Sequence, residues 1–256
     1  MAIRLKTPEE IQTLREGGRR LWRVLQALAK EVKVGVSADT LDRLAEEMIV
    51  AGGDKPAFKN YKPAGARKAF PSTICISINH EIVHGVPLAS KVFKPGDVVK
   101  VDAGLTHGGL ITDAAVTVIV PPVPPESARL VKATKDALDA AIRAVKPGVR
   151  VGEISAAIER VARRAGFTVV KELAGHGVGY GLHEDPYVPN EGKPNEGPVL
   201  PVGAVIAIEP IFSTGGWHLK IGKDGFALES KDGSLAAQTE KTVAVVEGGC
   251  LVLTGR

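Results

Sequence analysis

Apolar residues recur every three to four positions near the start of the chain. Ile11, Leu14, Leu21, Val24, Leu25 and Leu28 fall on one face of a helix. Its beginning is signalled by Thr7-Pro8-Glu9-Glu10: Thr7 can cap the free amides, Pro8 suits the first helical position, and Glu10 completes a capping box. After Val36-Ser37 a second helix presents Leu41, Leu44, Met48 and Ile49, and Gly52-Gly53 stops it. A third helix is expected around 127–145. Runs rich in β-branched residues predict strands at 73–79, 98–103, 110–120, 168–172, 204–210, 217–221, 226–230 and 236–246. The stretch from Gly104 to Gly109 reads as a hairpin turn, Pro121 to Pro125 as a stiff connector, and 185–201 as a surface loop.

The pattern occurs twice. Pro95-Gly96-Asp97-Val98-Val99-Lys100-Val101-Asp102 matches Val202-Gly203-Ala204-Val205-Ile206-Ala207-Ile208-Glu209, with glycine on glycine and Asp102 on Glu209. Val32-Lys33-Val34-Gly35-Val36 likewise matches Val145-Lys146-Pro147-Gly148-Val149, and the register carries Leu41 onto Ile154 and Gly53 onto Gly166. The order is helix, helix, strands, and then the same again. Two helices per half would cover a shared, curved, mostly antiparallel sheet, an α+β architecture. The 256 residues suit a single catalytic domain over 1–256, made of two pseudo-repeats at about 1–120 and 126–256.

Composition excludes little and narrows the setting. Hydrophobic content is 44%, charged content 24% and net charge +4, with no long basic tract to recruit a specific nucleic acid. Cys75 and Cys250 form no disulfide framework, and no apolar run approaches membrane-spanning length. The opening residues carry no apolar targeting core. A cytoplasmic protein, monomeric and without a membrane partner, is the expectation.

Chemistry enters with the acids. Asp102 ends a strand, Asp113 sits inside the apolar run Leu110-Ile111-Thr112-Asp113-Ala114-Ala115-Val116, Glu209 follows Val205-Ile206-Ala207-Ile208, and Glu240 precedes Thr242-Val243-Ala244-Val245. A buried carboxylate without a partner is costly. Any one of the four also fits a solvated strand end or a salt bridge. Together, in matched pairs, they suit hard divalent cations. His176 lies between glycines in Ala174-Gly175-His176-Gly177, which allows close backbone approach and an accessible ring; His183 follows, and His84-Gly85-Val86 echoes His176-Gly177-Val178 in the other half. His80, His107 and His218 read as ordinary surface or core residues.

These segments closely resemble the type I methionine aminopeptidases, whose pita-bread fold is shared with creatinase and prolidase. The matching elements are ICISINHEIVHGVP (74–87), VDAG with ITDAAVT (101–117), AGHGVGYGLHEDP (174–186), IAIEPI (206–211) and AAQTEKTVAV (236–245). The resemblance implies a pair of divalent ions (Co, Mn, Fe or Zn) held by Asp102, Asp113, His176, Glu209 and Glu240. Asp102 would chelate one ion, Asp113 and Glu240 would bridge the two, and His176 and Glu209 would complete the ligand set of the second ion. It further implies that a metal-bridging hydroxide attacks the first peptide bond, with Glu209 as proton shuttle. His84 would position the peptide and its leaving amine, and His183 would bond the scissile carbonyl. Nascent polypeptide N-termini beginning with Met and a small second residue would be the substrates, and the ribosome a further partner. Phe70, Cys75, Leu182 and Phe226 would wall the methionine pocket, with Tyr61 a weaker contributor. The segment 59–69 departs from the family's usual form and looks lengthened, which leaves the pocket's outer wall open.

Two other readings remain. A prolidase or X-Pro aminopeptidase usually carries a large extra N-terminal domain and additional catalytic histidines; with the first helix opening at Thr7, such a domain is not expected here. A non-catalytic relative that binds RNA or the ribosome would usually have lost its metal ligands, and all five are present here.

Overall fold

Thr7 caps the first helix as its sequence demands. In the computed structural model, which describes residues 2–63 and 65–255, α1 spans Pro8–Glu31, with both arms of the capping box formed. Ala64, within the segment 59–69, lies outside the described residues. α2 (Ala38–Ala51), α3 (Pro125–Ala144) and α4 (Val151–Ala165) complete the helices. The face predicted for α1 is buried in full, whereas Leu44 and Met48 of α2 lie at the edge of the core and Ala45 takes the central place between Leu41 and Ile49.

Nine strands form one principal sheet. Its path runs from Lys55–Pro56 through Val98–His107, Leu110–Ile119, Glu240–Val246, Val205–Ile208 and Ala174–Gly177 to Glu184–Pro189. Ile74–Ile78 pairs with Val98–His107, and Gly249–Val252 with Glu240–Val246. Two three-stranded sheets stand beside it. One joins Ala236–Gln238, Ile211–Ser213 and Thr168–Val169; the other joins Leu219–Ile221, Leu228–Ser230 and Glu81–Val83. Every strand pairing among the described residues is antiparallel.

Strand alternation decides which side chains meet the helices. Val99, Val101, Ala103 and Leu105 pack against Leu21, Leu25 and Leu28 of α1 and Leu41 and Ile49 of α2. Successive side chains point to opposite faces, so Asp102 faces away from this helix pair. In the other half, Ile206, Ile208, Val243 and Val245 pack with Leu130 and Leu138 of α3 and Ile154 and Ile158 of α4. Gly96 and Gly203, matched in the sequence, share positive φ values of 85° and 89°.

Four expectations need correction. The hairpin turn is confined to Gly108-Gly109, because the ladder continues to His107 opposite Leu110. The 185–201 segment begins in the strand Glu184–Pro189, whose proline-containing sequence can occupy the end of the sheet path because that edge needs no donors. The runs 204–210 and 236–246 are each broken. Pro210 cannot donate to a ladder, and the chain passes from the principal sheet into the small one between Ile208 and Ile211; its partner makes the reverse crossing at Thr239. Glu209 and Glu240 therefore stand at two facing breaks.

Candidate metal centre and peptide cavity

Five neighbouring strand positions in the principal sheet each bring one ligand-type side chain. In spatial order these are Asp102, Asp113, Glu240, Glu209 just beyond Ile208, and His176. Register places Asp102 and Glu240 both opposite Ala115, and Asp113 lies two residues before Ala115, on the same face. Flat strands stand ~4.8 Å apart. Asp113, Glu240 and His176 nevertheless offer ligand atoms within 4.8 Å of one another, although another strand separates the last two. Convergence of this kind requires a sheet curled toward the acids.

Local chemistry holds each group in place. The Thr242 hydroxyl accepts from the Asp113 amide at 3.0 Å and donates to its carbonyl at 2.7 Å. His176 is fixed by close packing at both flanks. A Cβ on Gly175 would lie 2.3 Å from the Ala207 oxygen, and one on Gly177 would lie 2.1 Å from the Asp185 oxygen, so only glycine fits. The His176 ring donates from Nδ1 to the Gly177 carbonyl at 2.9 Å. A carbonyl can only accept, which leaves the Nε2 lone pair of the neutral ring free, 4.0 Å from Asp113 Oδ2 and 3.9 Å from Glu209 Oε1. The ring is less accessible than its glycine setting suggests, with the side chain 11% exposed.

The electrostatics are those of an anionic cluster short of countercharge. Burial raises Asp102 to about 7. Burial and the charges of its neighbours also hold Asp113, Glu209 and Glu240 well above the usual carboxylate range. Burial lowers His176 to about 3, so its ring is neutral. Among the described residues, no lysine or arginine pairs with any of the four acids. The nearby Lys100 is turned away and donates to the carbonyls of Asn79 and Ala236. Asp102 Oδ1, Asp113 Oδ1 and Glu240 Oε1 are buried without a hydrogen-bond partner. Hard oxygen donors with one imidazole nitrogen and no other countercharge are what divalent cations need, so the residues present fit such ions.

The cluster forms the floor of a cavity of about 750 Å³, within the ordinary range for ligand sites. All five ligand-type residues line it, as do His84 and His183. His84 holds a left-handed φ of 60° before Gly85, and burial followed by the nearby His183 keeps its pKa down, at about 4. His183 lies edge-on to His176 with ring centroids 4.4 Å apart. Phe70, Cys75, Leu182 and Phe226 also line the cavity, and Phe70 meets Phe226 edge-on at 5.5 Å. They pack as one apolar cluster with Phe58 and Val86, so the same side chains serve as cavity wall and as local core. The Cys75 thiol is pushed well above its usual pKa by burial and by Asp102, and behaves as a small apolar group.

Sequence reasoning passed over several contributors. Tyr61, expected to be a marginal wall, hydrogen-bonds His183 Nδ1 through its hydroxyl at 2.8 Å. Gln238 donates to Glu209 Oε2 at 3.4 Å; its place two residues before Glu240, on the same strand face pattern, was the available signal. Lys6 and Glu184 form a nearly buried ion pair at 2.6 Å, and Glu184 also accepts from the Gly181 amide, which ties down the turn that carries His183. No local pattern could have linked residues 178 positions apart. The remaining histidines lie outside the cavity lining. His107 bonds Asp54 at 2.7 Å, His80 faces Glu229, and His218 stacks on Trp217.

Known proteins share this fold. Residues 12–247 match metallopeptidase family M24. A methionine aminopeptidase of Aquifex aeolicus is 43% identical, with 99% of each chain covered. The crystal structure of the Thermotoga maritima methionine aminopeptidase superposes with a TM-score of 0.95 at 40% identity, covering all of both chains. A prolidase from Pyrococcus furiosus shares the fold at a TM-score of 0.78 and 24% identity, but this chain spans only 65% of it. The curled antiparallel sheet with its two helix pairs is the pita-bread fold. With the family matched over most of its length and full-length relatives well above 30% identity, this chain belongs to the methionine aminopeptidases of metallopeptidase family M24.

Proposed function

We propose that this protein removes the N-terminal methionine from polypeptides whose second residue is small, using two divalent cations held by Asp102, Asp113, His176, Glu209 and Glu240. The observation that carries the reading is the convergence of Asp113, His176 and Glu240 within 4.8 Å, together with three buried carboxylate oxygens that no protein donor satisfies. When bound, such ions supply Lewis acidity and lower the pKa of water toward neutrality.

The chain's own residues do the rest. Glu209 is the proton carrier: its carboxylate is steadied by Gln238 and stands beside the cluster at the cavity floor. With the Tyr61 hydroxyl donating to Nδ1, His183 keeps its hydrogen on Nε2 and can donate it to the scissile carbonyl as negative charge develops. His84 has its pKa held low, so at neutral pH it meets the peptide as a neutral ring and can exchange hydrogen bonds with the amide and the departing amine. The cluster of Phe70, Cys75, Leu182 and Phe226 offers the unbranched thioether an apolar slot and excludes water. A bulky second side chain would crowd the acids and their cations, hence the preference for a small one.

The same reading takes 1–256 as one catalytic domain of two repeats, at about 1–120 and 126–256, which the paired positive-φ glycines support. It also takes the protein to be a cytoplasmic monomer that meets nascent chains near the ribosome; no helix among the described residues is long and apolar enough to cross a membrane. The test is release of methionine from Met-Ala-Ser and Met-Leu-Ser by the cation-loaded protein. The expected ratio of kcat/KM is about 100 in favour of alanine, in line with the discrimination a tight pocket can exert. Equal rates would contradict the small-residue rule, and no release from either would contradict the activity.

A further inference from the structure

The described residues of the segment 59–69 form a lip on the cavity. It is closed at its base by the Asn60 amide donating to the Phe70 carbonyl and the Phe70 amide donating to the Tyr61 carbonyl, each at 2.8 Å. That base is anchored in the site, since Tyr61 bonds His183 and Phe70 meets Phe226. Beyond it come Lys62, Arg67 and Lys68, with no acid in the loop. All three are exposed, Arg67 and Lys68 line the cavity, and none forms an ion pair among the described residues. Lys59, just before the base, is by contrast paired with Glu46 at 2.6 Å.

The facing lip does not cancel this charge. Its one acid at the cavity, Asp224, accepts from the amides of Val86, Phe226 and Ala227 at 3.2, 2.9 and 2.8 Å. Those three donors turn its carboxylate inward, and Lys223 beside it is exposed. The uncommitted charge at the mouth is positive, while the floor is anionic. A peptide whose first residue sits on the floor cannot pass through the sheet. From its third residue onward it must leave between the lips, advancing about 3.3 Å per residue.

We propose that Arg67 and Lys68 make this enzyme selective for polypeptides with acidic side chains a few residues beyond the scissile bond. This rests on the aminopeptidase reading above and adds a substrate class to it. Unpaired cations beside a recessed, partly apolar cavity attract carboxylates over several ångströms, and salt weakens the attraction.

The test uses the full chain loaded with Mn and three peptides: Met-Ala-Ser-Glu-Glu, Met-Ala-Ser-Gln-Gln and Met-Ala-Ser-Lys-Lys. At low ionic strength kcat/KM should fall in that order, spanning about tenfold between the acidic and basic peptides. Raising the salt to about 0.5 M should compress the span, because the screening length drops below the charge separation. The double variant Arg67→Gln, Lys68→Gln should bring the acidic-to-basic ratio close to one. Equal rates on all three peptides in the unaltered protein, or an unchanged ratio in the variant, would overturn the lip's role while leaving the aminopeptidase reading intact. No turnover of any peptide would overturn both.

Discussion

Asp102, Asp113, His176 and Glu240 stand on strands that are paired on both sides within the principal sheet, whereas the mouth of the same cavity is built from loops. The floor is rigid, buried and anionic. The mouth is exposed and apolar to cationic, and it is held by a few side-chain contacts such as Tyr61 with His183 and Lys6 with Glu184. Placing reactive groups on ladders gives them fixed positions, which proton transfer and metal binding require. Placing recognition on loops lets substrate preference vary without disturbing the chemistry. On this account, changes at the floor should act on kcat, and changes at the mouth on selectivity.

The sharpest way to break that division is Glu209→Gln. It keeps shape and removes the proton carrier, so kcat should fall by about 10³-fold or more with secondary structure unchanged by circular dichroism. Substantial residual turnover at saturating metal would remove Glu209 from the role. His183→Ala comes next. It should lower kcat about 10²-fold while metal affinity, measured by calorimetry, stays within a few-fold of the unaltered protein. A parallel loss of metal would make His183 a cation ligand rather than a donor to the scissile carbonyl. Phe226→Ala, on the mouth side, should raise KM for Met-Ala-Ser about tenfold and leave kcat nearly unchanged. A collapse in kcat would mean that the apolar wall also aligns the reacting groups.

Stability against pH probes the floor's acids most strongly. Burial holds Asp102 near 7 in the folded chain against 3.8 for the free group, and its three acid neighbours are also raised. The four raised acids therefore bind more protons in the metal-free native state than in the unfolded chain above pH ~4. This outweighs the opposite contribution of the depressed His84, His176 and His183 below pH ~6.5, and stability falls as pH rises through the raised values. Between pH 5.5 and pH 8 the midpoint of metal-free thermal unfolding should drop by about 5 °C, and saturating divalent cation should abolish that drop. A metal-free midpoint that rises over this range would show that the acids are not the strained element.

The difference between floor and mouth also marks what was legible in the chain. Asp113 could be read because a charged residue inside Ile111-Thr112-Asp113-Ala114-Ala115 violates the apolar pattern, and His176 because glycine flanks it on both sides. The start of helix α1 and its buried face could be read to the residue, since its cap and its apolar stripe are local properties. The breaks at Pro210 and Thr239 were hidden, because a strand that changes sheets keeps its apolar character on both sides of the crossing. Short strands such as Glu81–Val83 and Ala174–Gly177 were hidden too, as they carry too few residues to show alternation. Tyr61 and the Lys6–Glu184 pair act across distant stretches of sequence, and only the folded chain brings them together.

The central claim is that the buried cluster works by holding divalent cations. Its most direct test is methionine release from Met-Ala-Ser by protein stripped of metal and then given Co, Mn, Fe or Zn one at a time. The account predicts no release from the stripped protein and saturable recovery with at least one ion, with Asp113→Asn shifting the recovery to much higher ion concentrations. Undiminished release from protein verified to be free of metal would contradict it.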